Sequence, residues 1–234
     1  MKAALPDAVT ALAERLGTRA LTGGQESGRA VFRQSGTLRG LGAKRWMRFS
    51  ARQWMAIGAT GFRWRARVGP LGLIEVEDAL IDGEPTGRVR ALGLVPVARA
   101  GRSRELLQGQ LQRYLAELAW NPDALLSNRA LDWEVKDETT LAVSARIGGV
   151  EAGVELSLGE DGLPARTFAM RQARESGGYV LRPWHGQFSD YRAVAGRMIP
   201  HAGRVAWECD GHRFEVWRGR IEDWRIAQDK RGRG

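Results

Sequence analysis

Along most of the chain, apolar and polar positions alternate with a period of two, the pattern of half-buried β-strands. The clearest run is "GFRWRARVG", where Phe62, Trp64, Ala66 and Val68 alternate with Arg63, Arg65 and Arg67. One face is predicted to pack and the other to meet solvent. After the turn "GPLG", the run "LIEVEDALI" continues the pattern, with Ile74, Val76 and Leu80 alternating with Glu75 and Glu77. Asp78 is the one charge on its apolar side. Closing the hairpin through Gly69, Pro70 and Leu71 sets Trp64 opposite Val76, Ala66 opposite Ile74, Arg65 opposite Glu75 and Arg63 opposite Glu77, and leaves Arg67 without an acidic partner.

Further strands are predicted at about 29 to 39, 45 to 56, 87 to 98, 139 to 147, 150 to 158, 164 to 173, 178 to 185, 203 to 209 and 212 to 218. "IGGVEAG" and "GEDGLP" bracket one meander, and Asp210-Gly211 in "CDGHRF" is expected to close a tight hairpin between Trp207 and Trp217. About ten antiparallel strands in one sheet must curl, because a long flat sheet leaves aggregation-prone edges. The expected fold class is α+β: a strongly curved antiparallel β-sheet, a half-barrel, wrapping a central helix.

That helix is read at 103 to 120. Leu107, Leu111, Tyr114, Leu115 and Leu118 form one apolar stripe, with Ser103 at the N-cap and Glu105 in the first turn. Arg113 and Glu117, four residues apart, sit together at the Tyr114 margin of the stripe, beside Gln110. In "WNP", Pro122 disfavours helical geometry at Asn121, which stands where it could cap the next turn, "PDALLS". The opening stretch "MKAALPDAVTALAERLG" reads as a short helix with Pro6 in its first turn, Val9, Leu12, Ala13 and Leu16 on one face, and Gly17 as its stop. Pro6, Asp7, Glu14 and Arg15 interrupt any apolar run there, which argues against a signal peptide or membrane span. A soluble, cytoplasmic protein is the expectation.

The chain has 234 residues, 43% of them hydrophobic, enough for a sizeable core, and no low-complexity tract divides it. One domain is expected over 1 to 234, with the helix and a linker at 1 to 24 and a flexible basic tail at 227 to 234. The net charge of +9 is spread along the sequence and carried mostly by arginine. That distribution argues against nucleic acid as the partner and leaves peripheral contact with a membrane surface open. Cys209 is the only cysteine, which excludes an internal disulfide and a multi-cysteine zinc site. His185, His201 and His212 fall in no metal-ligand spacing, so neither a metal nor a cofactor is expected.

Three blocks, "RYLAELAWNPDALL", "PWHGQFSDYRAVAGRMIP" and "VAWECDGHRFEVWRGRI", resemble the core pattern of an uncharacterised bacterial domain family, over about Val31 to Ile221. That family is similar, more distantly, to half-barrel carriers of the lipoprotein-localisation-factor type. The resemblance implies a curved antiparallel sheet around helices, with an apolar interior able to hold an acyl chain. It brings no established reaction or substrate.

The expected function is a binding or carrier role for an apolar or amphipathic, lipid-like small molecule in the space between sheet and helix. Nine tryptophans supply an aromatic lining of the kind such sites use. The candidate ligand-binding residues are Arg113, Tyr114, Glu117, Trp120, Trp64, Trp184, His185, Tyr191 and Trp207. Two alternatives stay open. One is an enzyme working through a polar cluster in the same cavity, although no GxSxG, HExxH, phosphate loop or GxGxxG is present. The other is nucleic-acid binding through the basic surface.

Overall fold

Apolar–polar alternation along much of the chain builds a sheet that curls around a helix. In the computed structural model the described residues are 4–18, 28–91, 95–99, 103–175 and 178–228. A short helix α1 (Asp7–Arg15) precedes six antiparallel strands: β1 (Arg29–Leu38), β2 (Met47–Ala56), β3 (Phe62–Val68), β4 (Ile74–Ile81), β5 (Glu84–Ala91) and β6 (Val95–Arg99). Helix α2 (Arg104–Ala116), a 3-10 turn (Leu118–Trp120) and α3 (Ala124–Ser127) follow. Seven more strands complete the chain: β7 (Asp132–Val135), β8 (Thr140–Ile147), β9 (Val150–Leu158), β10 (Pro164–Glu175), β11 (Gly178–Val194), β12 (Arg197–Cys209) and β13 (His212–Ala227).

The two meanders join where β13 pairs with β1, so all thirteen strands among the described residues form one antiparallel sheet running from β6 to β7. Those end strands do not pair with each other, and the sheet stays open. Its curvature is visible in what α2 touches. Gln110 Nε2 donates to Thr86 O on β5, whereas Gln108 Nε2 reaches Glu151 O on β9 and Gln112 Nε2 donates to Met170 O on β10. β5 and β9 stand near opposite ends of the strand order, so one helix bonds to both only because the sheet curls around it.

Local chemistry explains the elements. The Ser103 hydroxyl caps α2 by accepting from Leu106 N at 3.1 Å, and Leu111, Tyr114, Leu115 and Leu118 are buried. In α1, Val9, Leu12, Ala13 and Leu16 are buried, and Gly17 ends the helix with φ of +73°. α1 and α3 close one end of the trough near the Ala195-Gly196 turn. There Met198 N donates to Leu16 O at 3.0 Å, and the buried Asp123 accepts from Arg197 and from the Thr18 hydroxyl. The Asp210-Gly211 turn closes β12 onto β13 as expected, with both residues at positive φ.

The sheet has thirteen strands among the described residues, roughly in keeping with the ten or so expected. Several finer expectations need correction. β7 was unforeseen, the stretch read as one strand over 87 to 98 belongs to β5 and β6, and β11, β12 and β13 run well beyond their expected ends. The regular α-helix stops at Ala116, and the following turn is 3-10. Asn121 does not cap α3 through its side chain, which donates to Ala56 O at 2.8 Å. In the β3–β4 hairpin the faces are as expected but the register is shifted by two residues: Arg65 faces Glu77, Arg67 faces Glu75 and Trp64 faces Asp78. The loop is longer than assumed, a 3-10 turn centred on Leu71 with φ of +58°, and a two-residue slip preserves which side chains point inward. Arg67 therefore does have an acidic neighbour opposite it. Most of the tail expected over 227 to 234 lies outside the described residues, as does much of the linker before Gly28.

Candidate functional site

Between α2 and the concave face of the sheet lies a cavity of about 410 Å³. Inward positions of the strands line it. Trp64 comes from β3, Trp184 and Phe188 from β11, Val205 and Trp207 from β12, and Trp217 from β13, while Trp120 enters from the turn after α2. Volume and aromatic lining are those of small-molecule sites, which run to roughly 300–1,000 Å³. Trp120 meets Phe188 edge-on at 5.0 Å and Trp217 at 6.1 Å, and Trp217 stacks on Phe49 at 5.7 Å. Trp120 is fixed from both sides, its Nε1 donating to Pro200 O and its carbonyl accepting from Trp224 Nε1. Glycines behind the lining leave room for the indoles of Trp120 and Trp217. Gly36, Gly219 and Gly203 stand side by side across β1, β13 and β12, and a Cβ at Gly219 would come within 2.2 Å of the Trp217 ring.

One wall is charged. Arg113 Nη1 donates to Asp78 Oδ2 at 2.6 Å and its Nε donates to Glu117 Oε1 at 2.9 Å. Only 18% of the Arg113 side chain and 14% of Glu117 remain exposed, so the pair is an inward one and not a surface decoration. Gln53 Nε2 donates to Glu117 Oε2 at 2.5 Å, Gln34 links to Gln53, and the Trp64 indole N–H donates to Gln34 Oε1 at 2.8 Å. Burial alone would depress the Arg113 pKa, but the charges and hydrogen bonds of Glu117 and Asp78 outweigh it and hold the pKa above its ordinary value. The guanidinium also lies over the rings of Trp64 and Phe62, at 4.8 and 5.3 Å.

A second arginine faces the cavity from β10. Arg171 stacks on Trp184 at 4.7 Å and stands 5.8 Å from the Trp207 ring. Its Nη2 donates to Gly109 O on α2 at 2.7 Å, and its buried Nε has no acceptor. Burial, and then the positive charge of Arg113, pull its pKa down to about 10, which leaves it charged at neutral pH.

Of the nine residues proposed from the sequence, Arg113, Glu117, Trp120, Trp64, Trp184 and Trp207 line this one cavity. Tyr114, His185 and Tyr191 do not. The Tyr114 hydroxyl is buried in the core, donates to Ala56 O and Ala59 O and accepts from Asn128, and burial holds its pKa above the usual phenol range. His185 follows Trp184 along a strand and so points to the other face, where its ring lies tilted against Phe168 at 5.3 Å and its Nε2 lies 3.2 Å from Glu208. Tyr191 follows Asp190, whose φ is +58° although the β11–β12 register continues unshifted, and its hydroxyl donates to Pro164 O at 2.7 Å. Asp78, Gln53 and Arg171 were missed as site residues. Asp78 announced itself as the charge on an apolar face, and Arg171 shares the inward phase of Thr167, Ala169 and Ala173.

A family of unknown function (DUF6544) matches residues 2–219. Among curated proteins, none matches the chain. The fold is similar to that of a putative outer membrane lipoprotein-sorting protein domain from Vibrio parahaemolyticus, at a TM-score of 0.50 and 14% identity, covering 97% of this chain and 93% of that one. A LolA superfamily protein from Nitrosomonas europaea gives a TM-score of 0.49 at 11% identity, covering 92% of each chain. A DUF1329 family protein from Desulfovibrio piger gives 0.46 at 11%, covering 96% of this chain and 92% of that one.

Proposed function

The chain belongs to that family of unknown function, and we propose that it is a binding or carrier protein for an apolar or amphipathic, lipid-like small molecule held between α2 and the sheet. The observation that carries this reading is the cavity itself, about 410 Å³ floored and walled by five tryptophans. Leu38, Val76, Leu106 and Val205 extend the apolar surface. Burying such a ligand yields roughly 25 cal/mol for each Å² of apolar surface removed from water. The description of the Vibrio neighbour as a putative lipoprotein-sorting domain is in keeping with this reading. Binding is favoured over catalysis because Arg113, Asp78 and Glu117 satisfy one another, while Tyr114, His185 and Tyr191 are engaged outside the cavity.

The test is extraction of the purified protein with organic solvent and mass spectrometry of what is released, alongside titration with an environment-sensitive apolar dye. A stoichiometric amphiphile and saturable dye fluorescence are expected. A protein with no extractable ligand that leaves the dye dark would refute the reading.

A further inference from the structure

The two buried arginines of the cavity are not equivalent. Arg113 has two carboxylates, Asp78 at 2.6 Å and Glu117 at 2.9 Å. Arg171 has no ion-pair partner among the described residues; the Gly109 carbonyl is its one hydrogen-bond acceptor, and the N–H at Nε goes unanswered. A buried cation without a counter-charge ordinarily works against the fold. Stacking on Trp184 uses only the face of the guanidinium and leaves its in-plane N–H edges, the ones that grip an oxyanion, outside the ring contact. The same bias extends over the lining, where four arginines (Arg39, Arg113, Arg171 and Arg204) meet three carboxylates (Asp78, Glu105 and Glu117). Both of the carboxylates nearest Arg113 are spent on it.

We infer that the ligand is an amphiphile with an anionic oxygen head group, a carboxylate or a phosphate ester, and that Arg171 is the residue that anchors that head. This rests on the carrier reading above and specifies its ligand. The head group supplies the missing acceptor for Arg171, between Trp184 and α2. The hydrocarbon part lies against the indoles of Trp120 and Trp217. Arg113, neutralised by its own pair, fixes α2 to the sheet and takes no part in choosing the ligand.

The experiment compares three probes of one chain length on the intact protein: oleate, oleyl phosphate and oleyl alcohol, each measured by displacement of a bound apolar dye. Charge-assisted hydrogen bonds predict that at least one of the two anions binds about tenfold or more tighter than the alcohol. In Arg171→Met that preference is expected to shrink to within about threefold while the affinity for the alcohol is kept, and Arg171→Lys should retain part of it. Whether oleate or oleyl phosphate is the tighter probe distinguishes the two head groups. If the alcohol binds wild-type protein as tightly as both anions, the anchor is refuted and the carrier reading survives. If none of the three displaces the dye, the carrier reading itself fails. Should Arg171→Met not fold, the wild-type contrast between anion and alcohol still decides.

Discussion

Arg113 and Asp78, 35 residues apart in sequence, meet at 2.6 Å across the wall of the cavity. The contact ties α2 to β4, and the same guanidinium reaches forward four residues to Glu117, which in turn holds Gln53 of β2. A helix with an unremarkable apolar stripe is thereby fixed in position by polar bonds to two strands of one wing. What the arrangement secures is the height of α2 above the sheet, and with it the volume of the cavity.

Removing one acid from this triad leaves Arg113 half compensated. Glu117→Gln is expected to cost about 2 kcal/mol in chemical denaturation at neutral pH, against less than about 0.5 kcal/mol for an exposed helical pair. Asp78→Asn should cost a similar amount. Because the two acids repel each other and together compensate Arg113, the double variant, which leaves the guanidinium with no counter-charge, should lose more than the two single losses added together. Strict additivity would show that the three groups do not act as a unit.

The glycine row packed against Trp217 makes a second prediction. In Gly219→Ala the new methyl would stand 2.2 Å from two ring atoms of Trp217, which must rotate off its stack on Phe49. Overpacking of this kind costs about 1–3 kcal/mol. The variant should melt earlier, show altered tryptophan fluorescence and bind the apolar dye more weakly. Unchanged emission together with unchanged binding would mean that Trp217 does not pave the site.

The faces of the strands were legible because burial enforces alternation: Phe62, Trp64, Ala66 and Val68 are all buried, and the wheel of α2 correctly put Leu111, Tyr114, Leu115 and Leu118 inside. Register was not legible, since a slip of two residues keeps the same side chains inward and only the geometry of the Gly69–Leu73 loop chooses between alternatives. The bulge between Val205 and Ala206 and the left-handed backbone at Asp190, φ +58°, were equally hidden. Arg171 escaped notice because an arginine at an inward position of an otherwise small-residue strand looks like one more surface charge until the partner helix is placed over it.

Acid should weaken the β3–β4 hairpin in a defined window. Glu77 accepts from Arg63 at 2.6 Å and from Arg65 at 3.4 Å. Partial burial would raise its pKa, but the two arginines outweigh that and hold it below its ordinary value. Its contribution is therefore fully present above the unfolded-state value of about 4.3 and is lost as pH falls through the lower folded-state value. Glu77→Gln should lower the melting midpoint at pH 7 by an amount corresponding to a few tenths of a kcal/mol up to about 1. The curves of variant and parent should converge below the folded-state pKa. Parallel curves down to the most acidic pH would show that Glu77 gains nothing from its arginines.

On the convex face the arginine stripe works against the fold. Arg52 of β2 stands directly between Arg33 of β1 and Arg65 of β3 in the ladder, and the side chains of Arg33 and Arg65 are 61% and 60% exposed. Like charges directly opposite on neighbouring strands are destabilising, by the same few tenths to about 1 kcal/mol that opposite charges contribute. Arg52→Glu exchanges two repulsive neighbours for two attractive ones without touching the cavity on the other side of the sheet. The variant should be more stable than the parent by about 1 kcal/mol at low ionic strength, and the gain should shrink in 1 M salt, where the screening length falls to about 3 Å. Dye and amphiphile binding should stay as they are. A loss of stability in Arg52→Glu, or a gain indifferent to salt, would mean that the three arginines do not repel one another across the ladder.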